Sequence, residues 1–583
     1  MFEIIDTETK LQNCEVALKG KNIIACDLEA EGLDTKVSAI KGIGFGTNQQ
    51  QFFIPFPHEI PEDILKTFLI QLFSRIIIFH NAKYDMELLL HNKLPIPKVF
   101  HDTLLMSWLI DENKKHGLKT LAKELFGREP RKWKELDNEI TLLRGEEEIT
   151  HDLAEYCSVD VGNTYDLFNY FNPLLEKENA KIDYERVELK LVLVLIRMEM
   201  RGIKVDVSML QEKQGVAKEE LVKLEKKIID KIREKNPSSS EFLNLRSPKQ
   251  LEEILFDILK YSSVKETGSK KRSTDNEALI GIIRKEKLTD SDIVPMILKF
   301  RDLDKVYGTY LVALAEQAGV ENIIHANFLQ HGTKTGRLSS SDPNMQNIPT
   351  RHDQWDVRKA FVARKGYKFL MADYNQVELR LLAHFSQDKN MTETFLSGGD
   401  IHSKTMELLK IKNRRVAKGI NFGIVYGMGS RTLAQIVEIK EDEAKAYIDR
   451  FFTAYPMVKP FIIRVQQSAF RFGYVEMLTG RKRHFQEIYD RRWYNLISRQ
   501  SINSLIQGSA ADLIKIAMIR LDPLLKNMGA YILAQIHDEL IIETPEDKID
   551  EAKKVITDTM ENALKLRIPL KVTIAEGERW EKE

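Results

Sequence analysis

Cysteine is nearly absent from this sequence of 583 residues, with only Cys14, Cys26 and Cys157. Three thiols make no disulfide framework, and none forms a Cys-x-x-Cys pair that would point to zinc. They are expected in reduced cores. No apolar run approaches the roughly 20 residues that span a bilayer, so a soluble chain with no membrane partner is expected. The opening residues Phe2-Glu3-Ile4-Ile5-Asp6 lack the basic and apolar character of a secretory leader. A cytoplasmic location is expected, or an organellar one if a targeting segment has been removed. An excess of one charge is also missing. Lys plus Arg and Asp plus Glu each total 87, so net charge gives no hint of a polyanionic partner, which only the local field of a groove would steer. Internal repeats and long low-complexity tracts are absent too.

What is present is an ordinary globular mixture, 30% charged and 8% aromatic, long enough for several domains with their own cores. Residues 1 to about 180 read as α/β. Apolar strands at Ile23–Cys26 and Ile76–Phe79 alternate with helical patterns at 62–73, 82–92 and 152–171. From about 183 to 235 the pattern is helical and charged, with Lys223, Lys226, Lys227, Lys231 and Arg233 among acids. The Pro237-Ser238-Ser239-Ser240 break ends it. Lys265 to Ser273 reads as an exposed basic loop, either a solvated linker or a phosphate contact. From about 325 strands and helices mix again.

The run Asn413 to Gly427 places Arg414, Lys418, Phe422 and Tyr426 at successive steps of four. On an α-helix each step rises about 6 Å and drifts roughly 40° around the axis. Two cations and then two rings follow one slanting stripe, which suits the phosphates and the base of a nucleoside triphosphate. A solvated charge pair beside two core aromatics would have the same spacing.

Two groups of carboxylates stand out. Asp27 and Glu29 follow the strand Ile23–Cys26 and share a side if the strand continues. Asp85 opens the helix after Ile76–Phe79, behind His80-Asn81, and Tyr156 and Asp160 share a helix face. Four converging carboxylates repel one another unless cations fill the site. Two Mg²⁺ ions about 3.5–4 Å apart would activate a water and stabilise a leaving oxygen, with Tyr156 orienting that water. In the second group, the strand Lys368–Ala372 delivers Asp373. The apolar runs Ile532–Ile536 and Leu540–Ile542 read as a hairpin with Asp538 at its tip. Paired, these two acids form a second candidate two-metal site, suited to in-line attack of a primer 3′-hydroxyl on an α-phosphate.

The pieces Asp27-Leu28-Glu29, His80 to Asp85 and Tyr156-x-x-x-Asp160, with Asp102-Thr103 and His116-Gly117-Leu118 between, resemble 3′→5′ proofreading exonucleases of the DEDD type with a tyrosine in the third motif. That family has Thr after the first Glu, where this sequence has Ala30. The ligands remain, so activity is expected, and the departure bears on substrate-end positioning and proofreading strength. Asp373 to Glu378, Arg414 to Gly427 and His537-Asp538-Glu539 resemble the three polymerase motifs of family A DNA polymerases. Thr335 to Ser340 and Pro343 to Pro349 resemble that family's primer-contacting stretch, and Gln507 to Asp512 its template-side helix. Ser247-Pro248-x-Gln250-Leu251 and Arg301-x-x-x-Lys305 look like thumb elements. The resemblance runs nearly the whole chain and is closest to the proofreading-plus-polymerase, Klenow-type core of bacterial polymerase I. No 5′-nuclease domain is expected within these residues.

The resemblance implies a multidomain α/β and α+β fold, an RNase H-like DEDD exonuclease domain followed by a right-hand polymerase domain. Its parts would be the exonuclease domain (1–182), the thumb with the start of the polymerase domain (183–324), the first part of the palm (325–395), the fingers (396–484) and the second part of the palm (485–583). It implies Mg²⁺, two ions per site with Mn²⁺ as a substitute, held by Asp373 and Asp538 and by Asp27, Glu29, Asp85 and Asp160. The partners would be primer–template DNA and deoxynucleoside triphosphates, with the protein a monomer. Arg414 and Lys418 would hold the triphosphate, Lys418 also serving catalysis, and Gln376 and His402 would approach it. Phe422 would stack on sugar and base, with Tyr426 near the templating position. Phe rather than Tyr at 422 implies discrimination against dideoxynucleotides, and Glu378 looks like a gate against a 2′-hydroxyl. Arg337, Gln346, Asn347, Arg499, Gln507 and His537 would contact DNA, and basic residues of the thumb would track phosphates. Arg415 reads as a solvated cation, Gly423 as a close-packing position and Glu539 as a strand terminus or a catalytic acid. Asn375 and Leu505 replace the family's usual Ser and Pro.

Overall fold

The apolar run at Ile23 does not stop at Cys26. In the computed structural model, which describes residues 2–129, 146–235, 243–266, 268, 271–349, 354–486, 488 and 490–581, the strand covers Ile23–Ala30 and so carries Asp27 and Glu29 on one face. It lies inside a six-stranded mixed sheet ordered Phe2–Ile4, Gln51–Pro55, Ile40–Gly46, Ile23–Ala30, Ile76–Phe79, Phe100–Asp102. Pairing with Ile76–Phe79 is parallel and with Ile40–Gly46 antiparallel. A side chain at Gly44, which pairs with Asp27 from the neighbouring strand, would overlap Cys157, so the glycine lets the helix Glu146–Lys177 press against the sheet beside the acids.

That helix is longer than the pattern at 152–171 suggests. Pro173 lies inside it, and the buried residues Phe171 and Leu175 carry its apolar face past the proline. The charged helical stretch from 183 is also revised. It breaks at Gly202, which takes a left-handed φ of 60° where a Cβ would meet the Ile324 carbonyl at 2.7 Å. A short strand Ile203–Lys204 and the helix Val207–Lys235 follow.

The chain forms two compact units. The first gathers Met1–Arg201, Asn327–Ser341 and Leu370–Glu576; the second gathers Gly202–Ala326, Asp342–Phe369 and Gly577–Glu583. The first holds most of a second sheet, ordered Tyr531–Ile536, Glu539–Pro545, Tyr367–Tyr374, Val572–Gly577. It also holds the helices Ile401–Leu409, Arg414–Val425, Ser430–Val437 and Tyr494–Asn527. Close approach between Arg414–Val425 and Ser430–Val437 falls at Gly419, where a side chain would overlap Val437. At Gly423 the neighbours stand at ordinary contact distance, 3.4 Å and beyond, which moves the close-packing position by one turn.

In the second unit the expected basic loop is partly neutralised. Arg272 forks onto Asp257 at 2.7 and 2.8 Å and also meets Glu252, and Lys265 pairs with Asp275 and Glu277. Lys270 and the Pro237–Ser240 break lie outside the described residues. All three cysteines are buried and free. Among the described residues no helix is long and apolar enough to cross a membrane.

Two candidate active sites

The first site is built on the six-stranded sheet. Asp85, in the first turn of the helix Ala82–His91, accepts the Leu28 backbone N–H at 3.0 Å and thereby stands against the strand between Asp27 and Glu29. Asp102 caps from the side: its carboxylate accepts Asn81 and Ala82 N–H at 3.0 and 2.9 Å, fixing the turn that launches Asp85. The helix Glu146–Lys177 brings Tyr156 and Asp160. Burial, then the nearby Asp160, pushes Asp27 up to about 8. Burial, then Asp27, pushes Glu29 up to about 9, burial lifts Asp160 to about 6, and burial, then Asp27, raises Asp85 well above the usual carboxylate range. Acids this crowded hold protons or need cations. Carboxylate oxygens in such a cluster suit a hard divalent ion.

Two residues here were not anticipated. Cys157 Sγ lies 3.7 Å from Asp27 Oδ2, its thiol raised by burial and so kept as a neutral donor. Lys119 touches the Tyr156 hydroxyl, lies 4.0 Å from the centre of its ring and 3.7 Å from Asp160 Oδ2. Lys119 directly follows the His116-Gly117-Leu118 segment, and its period with Lys123 was the available signal.

The second site is built where the four-stranded sheet meets the helices. Asp373 is the penultimate residue of the strand Tyr367–Tyr374. Ile536 pairs with Glu539, leaving a two-residue turn of His537 and Asp538. His537 takes a left-handed φ of 57°, a conformation that costs a side-chain-bearing residue energy and is held by Gln535, whose amide donates to the His537 carbonyl. The Tyr374 N–H donates to the Asp538 carbonyl at 3.2 Å, tying the two acids' strands together. Burial and then Asp373 push Asp538 up to about 7.

The stripe faces these acids. Asn413 caps the helix Arg414–Val425 by accepting the Arg415 N–H at 2.9 Å. Phe422 and Tyr426 stack with centroids 6.1 Å apart, His402 lies 5.8 Å from Phe422, and Lys418 Nζ is 5.8 Å from the same ring. Arg337, Asp373, Gln376, Glu378, His402, Arg414, Lys418, Phe422, Tyr426, His537 and Asp538 all line one cavity of about 810 Å³. Arg415 points elsewhere, to Glu438 at 3.3 Å. Burial holds His402 down at about 4, so its ring is neutral.

Asp400 was missed. Its Oδ1 caps the helix Ile401–Leu409 by accepting the Ser403 N–H at 2.7 Å. Its Oδ2 accepts Gln376 at 2.9 Å and Arg414 at 3.0 Å. Burial raises this carboxyl, yet the Ser403, Gln376 and Arg414 partners hold it at about 2. Asp-x-x-Ser before an apolar run was a readable capping signal. Of the expected DNA contacts, Arg499 packs against Gly427 and Gln507 hydrogen-bonds Tyr426. Gln346 and Asn347 belong to the second unit and do not line the cavity.

Residues 207–582 match the family model described as DNA polymerase family A. The chain belongs to that family. Residues 2–176 match a second model, 3′-5′ exonuclease, so the family A region is preceded by the fold that carries the first carboxylate cluster. DNA polymerase I of Borreliella burgdorferi is 34% identical, covering 99% of this chain and 64% of that protein. The thermostable DNA polymerase I of Thermus filiformis is 40% identical, covering 74% of this chain and 52% of that protein. The chain thus spans less than two thirds of the length of these relatives. Among solved family A structures, the polymerase domain of Pol1 from M. smegmatis, in complex with DNA primer–template and dNTP, superposes with a TM-score of 0.85 at 27% identity, covering 100% of this chain and 99% of that one.

Proposed function

We propose that this chain is a template-directed DNA polymerase that extends a primer 3′ end with deoxynucleoside triphosphates and edits that end 3′→5′ at a second site. The observation that carries the reading is the single cavity in which Asp373 and Asp538 face the stripe from Arg414 to Tyr426. Mg²⁺, two ions per site with Mn²⁺ as a substitute, would be held by Asp373 and Asp538 and by Asp27, Glu29, Asp85 and Asp160, lowering the pKa of the attacking oxygen and neutralising phosphate charge. Arg414 and Lys418 bind the triphosphate, Arg414 exchanging Asp400 for phosphate oxygens, and Lys418 stabilises charge gathering on the transferring group. Neutral His402 donates to the same phosphates without adding charge. Phe422 stacks on the nucleotide, Tyr426 borders the templating base, and buried Glu378 stands where a 2′-hydroxyl would fall.

Arg337, Gln507, Arg499 and His537 contact primer and template, joined by Gln346 and Asn347. At the editing site Tyr156 orients the attacking water, and Lys119 fixes the Tyr156 hydroxyl. The proposed division is an exonuclease domain over 1–182, a thumb over 183–324, palm segments over 325–395 and 485–583, and fingers over 396–484, acting as a monomer.

Primer extension and primer degradation, followed on one labelled primer, test this reading. Asp373→Ala or Asp538→Ala abolishes synthesis and leaves 3′→5′ degradation. Asp27→Ala with Glu29→Ala does the reverse. If either separation fails, the two-site assignment is wrong.

A further inference from the structure

Four consecutive residues, Arg481 to His484, all bind partners distant in sequence. Arg481 is 2% exposed. Its Nε donates to Asp512 at 2.9 Å, and its Nη2 donates to the Thr335 carbonyl at 2.7 Å and the Gly508 carbonyl at 3.3 Å. Thr335 lies two residues before Arg337, and Gly508 immediately follows Gln507. Gly336 adopts a φ of 83°, and any side chain there would overlap the guanidinium, so the glycine is what admits Arg481.

The next three residues face the exonuclease fold. Glu112 is buried and accepts Arg483 Nη1 at 2.5 Å and the His484 N–H at 2.8 Å, with His484 Nδ1 at 3.1 Å. Asn113 donates to the His484 carbonyl at 3.1 Å, and Lys482 reaches Glu178 at 3.1 Å. The loop holding Glu112 leads directly into the helix Leu118–Phe126, whose Lys119 touches Tyr156. Asp111, Glu112 and His484 are near enough to share a cation, but Arg483 already supplies the charge that balances Glu112. Buried ion pairs add little net stability, and fixing geometry is a use for which they are retained.

We propose that Arg481–His484 is a strut joining the editing fold to the primer- and template-facing side chains of the synthesis site, with Glu112 as the positioning residue that sets how a mismatched primer end is shared between excision and extension. This rests on the two-activity reading above. The strut touches neither substrate. It holds the Thr335 and Gly508 carbonyls, beside Arg337 and Gln507 in the chain, at one end and the approach to Lys119 at the other, so loosening it changes the hand-over of the primer end and leaves each chemistry intact.

The test compares the unaltered chain with Glu112→Ala and Glu112→Asp. Three quantities are read: excision of a single-stranded oligonucleotide, extension of a matched primer, and the excision-to-extension ratio at a mismatched primer with nucleotides present. The first two are expected at parental levels, while the ratio shifts by at least about fivefold in Glu112→Ala and returns toward parental in Glu112→Asp. An unchanged ratio overturns the proposal. A matching fall in single-strand excision also overturns it, because Glu112 would then serve the editing fold alone. If Glu112→Ala does not fold, Lys482→Ala, which removes the Glu178 ion pair and a cation–ring contact with Tyr474 in its own hairpin, decides by the same ratio. An unaltered chain that neither extends nor excises would defeat the two-activity reading instead.

Discussion

The Arg337 guanidinium donates to Oε1 of Glu378 at 2.6 Å, inside the cavity that the Arg414–Tyr426 stripe lines. Burial raises the Glu378 carboxyl and Arg337 opposes that rise. The residue that would meet the primer and the residue that would exclude a 2′-hydroxyl therefore hold each other in place, and a change at one disturbs the other.

Glu378→Ala is expected to raise ribonucleotide over deoxynucleotide incorporation, compared as kcat/KM, by at least about tenfold. It should also weaken primer–template binding, because Arg337 loses its anchor. Glu378→Gln keeps the volume and should keep the sugar preference while losing part of the primer grip. An unaltered sugar preference in Glu378→Ala rules out the gate.

Phe422→Ala removes the ring that packs with both Tyr426 and His402. The KM for nucleotide should rise by roughly tenfold, within the range of one base–aromatic stack, with single-strand excision untouched. Phe422→Tyr places a hydroxyl where a dideoxynucleotide lacks one and should raise its use as a chain terminator. A termination ladder on one template reads both effects, and equal termination in parent and Phe422→Tyr removes the sugar contact from Phe422.

Asp27 and Glu29, ordinarily 3.8 and 4.5, are pushed up to about 8 and about 9. Between those limits the folded chain keeps protons that the unfolded chain has released. The contribution of these two acids to metal-free stability is therefore fully present at acid pH, below about 4, and is lost as pH rises toward 8 and 9. Mg²⁺ replaces the departing protons, so it should raise Tm more at pH 9 than at pH 6. That difference should shrink in Asp27→Asn with Glu29→Gln. Equal Mg²⁺ shifts at both pH values in the parent count against these two acids as ligands.

Arg272 is engaged by Asp257 and Glu252, so Arg272→Ala should leave the slope of DNA affinity against salt unchanged. A slope lowered by about one unit would mean that it releases its acids to bind a phosphate.

Periodicity carried most of what the sequence alone revealed. Steps of four on a helix and steps of two on a strand put Arg414, Lys418, Phe422 and Tyr426, and likewise Asp27 and Glu29, on shared faces, and local geometry alone guarantees such relations. Asp400 obeyed a short-range capping rule and was simply passed over. Arg481 was not readable, because its partners Thr335 and Asp512 lie 146 and 31 residues away and a basic run in a hairpin reads locally as a solvated face. The same holds for the Cys157 thiol beside Asp27, which depends on Gly44 having no side chain.

The three buried thiols have a practical consequence. Burial raises all of them, and a protonated, enclosed thiol reacts slowly with alkylating reagents. The native chain therefore gives a dark background for maleimide dyes. One cysteine introduced at exposed Arg415 would accept a single fluorophore on the helix of the cation–aromatic stripe. The surroundings of that helix could then be followed as each nucleotide is added, with no native cysteine removed.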